Sequence, residues 1–138
     1  MSLEKRVFTP SQSKAISHTG SDLLISAGAG SGKTATLTQR IIEKILNGAD
    51  ITKMLVVTFT KEAANSLKSK LTEKLAKKLK DATVDKREHL RSQIVKTSSA
   101  DISTIHSFCL KIIRPNFDKL PIDSDFKIGE ENEIEYIK

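Results

Sequence analysis

Hydrophobic positions in this chain fall into short clusters separated by polar segments, and their spacing predicts alternating strands and helices. The apolar run at residues 23–27 (LLISA) lies between glycines, and a second run occupies residues 54–59 (MLVVTF). Short uninterrupted apolar runs of this kind are typical of strands buried on both faces. Residues 101–104 (DIST) predict a third short strand.

Elsewhere, apolar residues recur every three or four positions, which indicates helices with one buried face. One helix follows the glycines at 28–32 and ends at Asn47-Gly48, and a longer one begins after Thr60, a suitable N-cap. Charged residues at 81–85 turn the chain into a basic helix that ends near Lys96. The apolar stripes of the first two helices are Leu37, Ile41, Ile42, Ile45 and Leu46, and then Ala63, Ala64, Leu67, Leu71, Leu75 and Leu79.

Two further helices are predicted near the ends of the chain. Thr9-Pro10-Ser11-Gln12 indicates a helix start, with Thr9 as the cap and Gln12 placed to complete a capping box. The helix that contains Phe108 stops before Pro115, because the residue preceding a proline disfavours the helical conformation. The order of elements predicts an α/β fold with a parallel sheet flanked by helices.

Length and composition exclude several classes of protein. The chain has 138 residues, the size of one domain, and 38% of them are hydrophobic. No run approaches the apolar length of a membrane-spanning helix, and the first residues contain no apolar signal-peptide core. The single cysteine, Cys109, allows no internal disulfide, and with three histidines it makes a structural zinc site improbable. We therefore expect a cytoplasmic protein without a membrane partner.

The positive charge is concentrated in one part of the chain. The net charge is +6, and residues 61–96 hold 11 basic and 5 acidic residues, so the rest of the chain is balanced. Such a patch is typical of a domain that meets a polyanion, and Lys61, Lys68 and Lys70 are candidates for phosphate attraction. The alternative, a solvated face of ordinary helices, explains a charge run taken alone slightly better.

The most specific signal is Ala27-Gly28-Ala29-Gly30-Ser31-Gly32-Lys33-Thr34, between a predicted strand and a predicted helix. This is the Walker A pattern, with Ala27 where the strict form has glycine. Glycines let backbone N–H groups surround a polyphosphate, Lys33 supplies charge to the β- and γ-phosphates, and the Thr34 hydroxyl is placed to ligate Mg²⁺. A glycine-rich turn without a ligand does not explain Lys33-Thr34 at the helix start. A nucleoside triphosphate with Mg²⁺ is therefore the expected ligand.

Three other segments narrow the choice of P-loop family. FTPSQ at residues 8–12, VVTFTKEAA at 56–64 and ISTIHSFC at 102–109 resemble the Q motif, motif Ia and motif Ib of superfamily 1 DNA helicases of the UvrD/Rep/RecB type. Within that superfamily, the spelling looks most like the AddA helicase–nuclease subunits of bacterial AddAB recombination complexes. The resemblance runs from about residue 8 to about residue 127. It implies an incomplete RecA-like P-loop NTPase domain that acts on single-stranded and duplex DNA with an AddB-like partner subunit.

The resemblance also assigns roles to individual residues. Gln12 is expected to read adenine, although its amide is also needed for the Thr9 capping box. Thr58, Phe59 and Thr60 are expected on the single-stranded DNA path, with Phe59 stacking on a base unless it is a core residue that ends the strand. The same path is expected to include Thr104 and His106, while Phe108 and Cys109 are predicted to be core.

The sequence contains no apolar strand ending in Asp-Glu, the Walker B pair that the helicase reaction needs. We therefore interpret residues 1–138 as the N-terminal part of the first RecA-like domain, with a helical insertion starting at about 128–138. Such a chain is expected to bind ATP without efficient hydrolysis. It is also expected to self-associate through the open edge of residues 23–27. The alternatives are a stand-alone ATP- or DNA-binding module and a small P-loop kinase or GTPase-like protein.

Overall fold

A computed structural model of the chain describes residues 7–123, 125 and 126. The chain divides into two compact units, Met1–Thr104 and Ile105–Lys138. The first unit contains helices α1 (Pro10–Ser17), α2 (Lys33–Leu46), α3 (Lys61–Lys80) and α4 (Val84–Lys96) and strands β1 (Leu55–Thr58) and β2 (Asp101–Thr104). The second unit contains α5 (Ile105–Ile113) and a 3-10 segment, Arg114–Lys119. None of the described helices is both long enough and apolar enough to cross a membrane.

The two strands form a parallel pair in which Val56 lies opposite Ile102 and Thr58 lies opposite Thr104. Helices α3 and α4 make the crossover between them, as a parallel connection requires. The observed parallel sheet with flanking helices confirms the predicted α/β class.

The hydrophobic core lies between one face of this sheet and helices α2, α3 and α4. Leu67, Leu71 and Leu75 form the buried stripe of α3, and Ile41, Ile42 and Ile45 form that of α2. The predicted helical periodicity is therefore confirmed for most of both stripes, whereas Leu37 and Ala63, at the starts of the two helices, are exposed. Asn47 ends α2, and Gly48 follows with a φ of 94°, in the left-handed region.

Helix α4 is attached to α2 and to the segment before β1 by polar contacts as well as by packing. Gln93 is 1% exposed, and its Oε1 accepts a hydrogen bond of 2.8 Å from the backbone N–H of Ile51. His89 Nε2 lies 2.9 Å from the carbonyl oxygen of Ile45. At the surface, Lys96 Nζ donates to Asp50 Oδ2 at 2.6 Å.

The prediction of a buried strand at residues 23–27 is wrong in this structure. Among the described residues, this segment pairs with neither β1 nor β2, and the sheet has two strands. Its side chains face solvent, with Leu24 96% exposed. Pattern alone identified an apolar segment, but a strand forms only where a neighbouring strand accepts its backbone hydrogen bonds.

Two further predictions of burial are also wrong. Strand β1 is covered on one face only, since Leu55 and Val57 are 50% and 43% exposed while Val56 is buried. Cys109 is exposed and Phe108 only half-buried, because α5 buries none of its side chains in the described part of the chain. The helix does end before Pro115, as predicted. The predicted helical insertion at 128–138 lies outside the described residues.

Candidate functional site

The loop between residues 27 and 34 turns tightly into the start of α2. Gly30 and Gly32 have φ values of 72° and 83°, in the left-handed region that favours glycine. Gly32 is the N-cap of α2 and has no side chain to bond the first turn. The backbone N–H groups of that first turn are thus left for a ligand, and the helix dipole adds positive potential at the same point.

Gly28 gives a separate indication that a ligand approaches this loop. It has no left-handed φ, and a Cβ added to it would meet no protein atom within 4 Å. Neither backbone strain nor packing within the protein therefore requires glycine at residue 28. Close approach of a bulky group such as a polyphosphate to the backbone supplies a reason for it.

Lys33 reaches back across the loop. Its Nζ donates to the carbonyl oxygens of Ala27 at 2.9 Å and Gly28 at 2.6 Å, so the ammonium group lies on the loop itself. The neighbouring Thr34 is exposed at the first turn of α2. The loop therefore combines an ammonium group, an accessible hydroxyl and the backbone amides of a helix start, which is the set of groups that a phosphate tail with its Mg²⁺ needs.

Gln12 contacts this loop while it also caps α1. Its Oε1 accepts a hydrogen bond of 2.9 Å from the N–H of Thr9, and its own N–H donates to Thr9 Oγ1, which completes the capping box. Its Nε2 donates to the carbonyl oxygen of Ser31 at 2.9 Å. The capping alternative for Gln12 is thus realised, and the same side chain links α1 to the P-loop.

Arg40 is a residue of this region that no sequence motif predicted. Its Nη1 donates to three carbonyl oxygens at the C-terminal end of α1, those of Ala15 at 2.7 Å, Ile16 at 3.3 Å and His18 at 2.7 Å. These carbonyls belong to the last turn of a helix, where they lack partners within the helix. Arg40 therefore holds α1 against α2. The local pattern gives no signal for it, because its partners are backbone atoms 22 to 25 residues away.

A cleft of about 660 Å³ joins three of the sequence-predicted segments. It is lined by Gln12 on α1, by Ala27, Ser31, Lys33 and Thr34 of the P-loop, and by Thr58, Phe59 and Thr60 after β1. The residues of the Q motif, Walker A and motif Ia, which are distant in sequence, thus line one continuous space.

Two of the predicted DNA-contact residues, Thr58 and Thr104, are the last residues of the two strands. They are partners in the register of the sheet, so β1 and β2 end at the same edge. Phe59 is fully exposed, which rules out the alternative that it is a core residue. Thr60 caps α3, since its Oγ1 accepts a 3.1 Å hydrogen bond from the N–H of Ala63. Thr104 is 8% exposed, and His106, which is exposed, belongs to the second unit.

Comparison with known proteins gives consistent matches. The family model of the UvrD/REP helicase N-terminal domain matches residues 8–137. An ATP-dependent helicase/nuclease subunit of Bacillus anthracis is 45% identical over 134 residues, which is 95% of this chain. The same-named proteins of Bacillus mycoides and Pediococcus pentosaceus are 44% and 40% identical over 134 residues, or 95% and 96% of this chain. In each case the match spans only 11% of the relative's length.

Proposed function

Since the chain belongs to the family of UvrD/REP helicase N-terminal domains, we propose that its P-loop binds ATP and that the adjoining strand edge contacts single-stranded DNA. The motif resemblance to UvrD-type helicases, and to the AddA subunits among them, is confirmed by the family match and by the named relatives. The observation that carries the proposal is the shared cleft, in which Lys33 and Thr34 lie with Thr58, Phe59 and Thr60.

In this proposal, each part of the loop has a chemical task. Backbone N–H groups at the start of α2 bind the phosphate oxygens. The Lys33 ammonium moves from the neutral carbonyls of Ala27 and Gly28 to the phosphates, because these carry negative charge. Mg²⁺, when bound, neutralises charge on the phosphates, and Thr34 is the residue that would hold it. Gln12 would contact adenine with an amide that already contacts Ser31.

The proposed DNA contact rests first on the exposure of Phe59. The Phe59 ring offers an apolar face to an unstacked base, a contact that tolerates any sequence. Thr58 and Thr60, on either side of Phe59, would contact phosphate or base. We propose a DNA contact for Thr104, at the end of β2, and separately for His106 of the second unit. Because this edge lies close to the P-loop, a change at the phosphates of the bound nucleotide would alter the affinity for DNA.

The relatives that match this chain are longer proteins, and they suggest the kind of parent protein to which the chain belongs. We propose an AddA-type parent, in which ATP hydrolysis drives movement along single-stranded DNA in double-strand-break repair and recombination, with nuclease activity and an AddB-like partner. Such a protein would act in the cytoplasm. The 138 residues are expected to bind ATP without sustained turnover, because they contain no Asp-Glu pair after an apolar strand.

The test measures equilibrium binding of a fluorescent ATP analogue with Mg²⁺ to the 138-residue chain. Replacement of Lys33 by alanine should weaken binding at least about tenfold, since a charge-assisted hydrogen bond contributes about 1.5–3 kcal/mol. Lys53→Ala, which removes an exposed lysine outside the cleft, should bind as the wild type does. If the chain binds neither the nucleotide nor a DNA oligomer, the proposal is overturned.

A DNA titration separates the helicase proposal from a small P-loop kinase or GTPase-like protein. Binding of a single-stranded oligomer should weaken steeply as salt rises, because counterions are released from the phosphates. Nucleotide binding without any DNA binding would favour the kinase-like alternative. Sustained ATP turnover that is stimulated by single-stranded DNA and lost in Lys33→Ala would contradict the expected lack of hydrolysis.

A further inference from the structure

A second cavity, of about 470 Å³, lies on the side of the P-loop that faces α3. Its lining consists of residues 30–35 and Thr38 together with two side chains of α3, Lys70 and Lys74. The two lysines are four residues apart, so they lie on one face of the helix, one turn from each other. Gln12 is not among the residues that line this cavity.

From this arrangement we infer that Lys70 and Lys74 form a second cationic wall of the phosphate site and bind the terminal phosphates of a nucleoside triphosphate. The inference rests on the proposed function, since it extends the P-loop site to α3. This cavity and the cleft beside Gln12 share Ser31, Lys33 and Thr34, so a nucleotide with its base near Gln12 would extend its terminal phosphates toward Lys70 and Lys74.

The charge balance of the cavity favours an anion. Lys33, Lys70 and Lys74 line it together with the positive end of α2, and no aspartate or glutamate is among its lining residues in the described chain. Like charges around one cavity repel each other unless an anion neutralises them. A bound phosphate group would reduce the repulsion among these three side chains.

The backbone that carries the two lysines is firmly held. Leu71 and Leu75, which directly follow them, are 0% exposed in the core. The helix therefore presents both lysines to the cavity from a fixed position.

Other lysines of the basic patch have different surroundings. Lys68 donates to the carbonyl oxygen of Ser98 at 3.1 Å, and Lys77 pairs with Glu73. Lys78 and Lys80 are exposed and do not line the cavity. Part of α3 is thus a solvated helix face. Lys70 and Lys74 differ from the other lysines because they line the cavity beside the P-loop.

The test compares two double variants of equal net charge, Lys70→Gln/Lys74→Gln and Lys78→Gln/Lys80→Gln, in the 138-residue chain. Affinities for ATP, ADP and AMP with Mg²⁺ are measured by competition against a fluorescent nucleotide. The first variant should lose about fivefold to thirtyfold in ATP affinity, less for ADP, and less than about twofold for AMP. The second should match the wild type for all three, and circular dichroism should show that both variants keep their helices.

The outcomes separate this inference from the proposed function. If the wild type binds ATP, Lys33→Ala does not, and Lys70→Gln/Lys74→Gln binds as tightly as the wild type, the inference is wrong while the P-loop proposal stands. An equal loss for ATP, ADP and AMP would overturn it as well, since the effect would not depend on the terminal phosphates. If the variant loses only DNA binding, the lysines contact the DNA backbone instead. If the wild type binds no nucleotide, both proposals fail.

Discussion

Some side chains in this protein form hydrogen bonds that stabilise the fold, and others are exposed and accessible to a ligand. Thr60 and Gln12 both cap helices, and Gln12 in addition contacts the P-loop at Ser31. Phe59, which precedes the cap residue Thr60, has none of its ring buried. An exposed aromatic ring contributes little to the free energy of folding, so Phe59 can be replaced to test a ligand contact without unfolding the protein.

Phe59→Ala should therefore weaken binding of single-stranded DNA without lowering stability. Loss of one base-stacking contact is worth about 1–3 kcal/mol, or about fivefold to 150-fold in affinity. Fluorescence anisotropy with a labelled oligothymidine measures the affinity, and thermal unfolding measures the stability. Val84→Ala, at another exposed apolar residue, is the matched control and should change neither. A Phe59→Ala protein that binds DNA normally would remove Phe59 from the DNA path.

Gln93 is the buried polar residue on which we expect stability to depend. Its Oε1 is the partner of the Ile51 N–H, and both residues are 1% exposed. Gln93→Leu leaves that N–H buried without an acceptor, which costs about 1–3 kcal/mol. Urea unfolding should show this decrease in the free energy of unfolding. Gln39→Leu, which removes a half-buried amide that contacts Glu43 on the same helix, should lower it by less. Equal effects of the two substitutions would contradict the assignment.

Between elements, short polar links add to the packing of the helices. Arg40 joins α2 to the end of α1, and the Lys96–Asp50 ion pair joins the end of α4 to the turn before β1. The hydrogen bond from Lys96 is the main cause that lowers the pKa of Asp50 well below its usual range, and the N–H of Thr52 adds to it. Asp50 is thereby a carboxylate that the folded state prefers ionised.

That preference gives stability a defined dependence on pH. Because the folded state lowers the pKa of Asp50, its contribution is present above the ordinary value of 3.8 and is lost as the pH falls below it. Asp50→Asn keeps a side-chain oxygen for the N–H of Thr52 but removes the charge. In urea unfolding, the wild type should be more stable than Asp50→Asn at pH 7, and the gap should narrow below about pH 4. A gap that stays constant across this range would show that the ion pair does not stabilise the fold.

At the scale of the whole molecule, the first unit contains a core on one face of its sheet and exposed apolar segments elsewhere. Leu24 and Ile25 are 96% and 48% exposed, and Leu55 and Val57 of β1 are also open to solvent. Extended apolar segments with unpaired backbone groups are templates for strand addition.

We therefore predict that the 138-residue chain self-associates. In sedimentation velocity, the weight-average sedimentation coefficient should rise with protein concentration, because association through these segments buries apolar surface. Leu24→Lys should suppress the rise, whereas Val84→Lys, at an exposed apolar residue of α4, should leave it unchanged. A strictly monomeric species at all concentrations would contradict the prediction.

Local sequence determined the helices of this protein and the glycine-rich turn that leads into α2. The stripes of α2 and α3, the caps at Thr9 and Thr60, and the turn through Gly30 and Gly32 depend on residues close in sequence, so their patterns are readable without a structure. Strands β1 and β2 were also predicted, and they pair as parallel neighbours.

Tertiary structure alone decided what lies beside each of these elements. Whether residues 23–27 form a strand depends on a neighbouring strand, and whether Cys109 is buried depends on what covers α5, neither of which is encoded in the local pattern. The reach of Arg40 to α1 and the placement of Lys70 and Lys74 beside the P-loop likewise join residues far apart in the chain. Local periodicity specifies which face of an element avoids water, whereas the partner of that face is chosen by long-range packing.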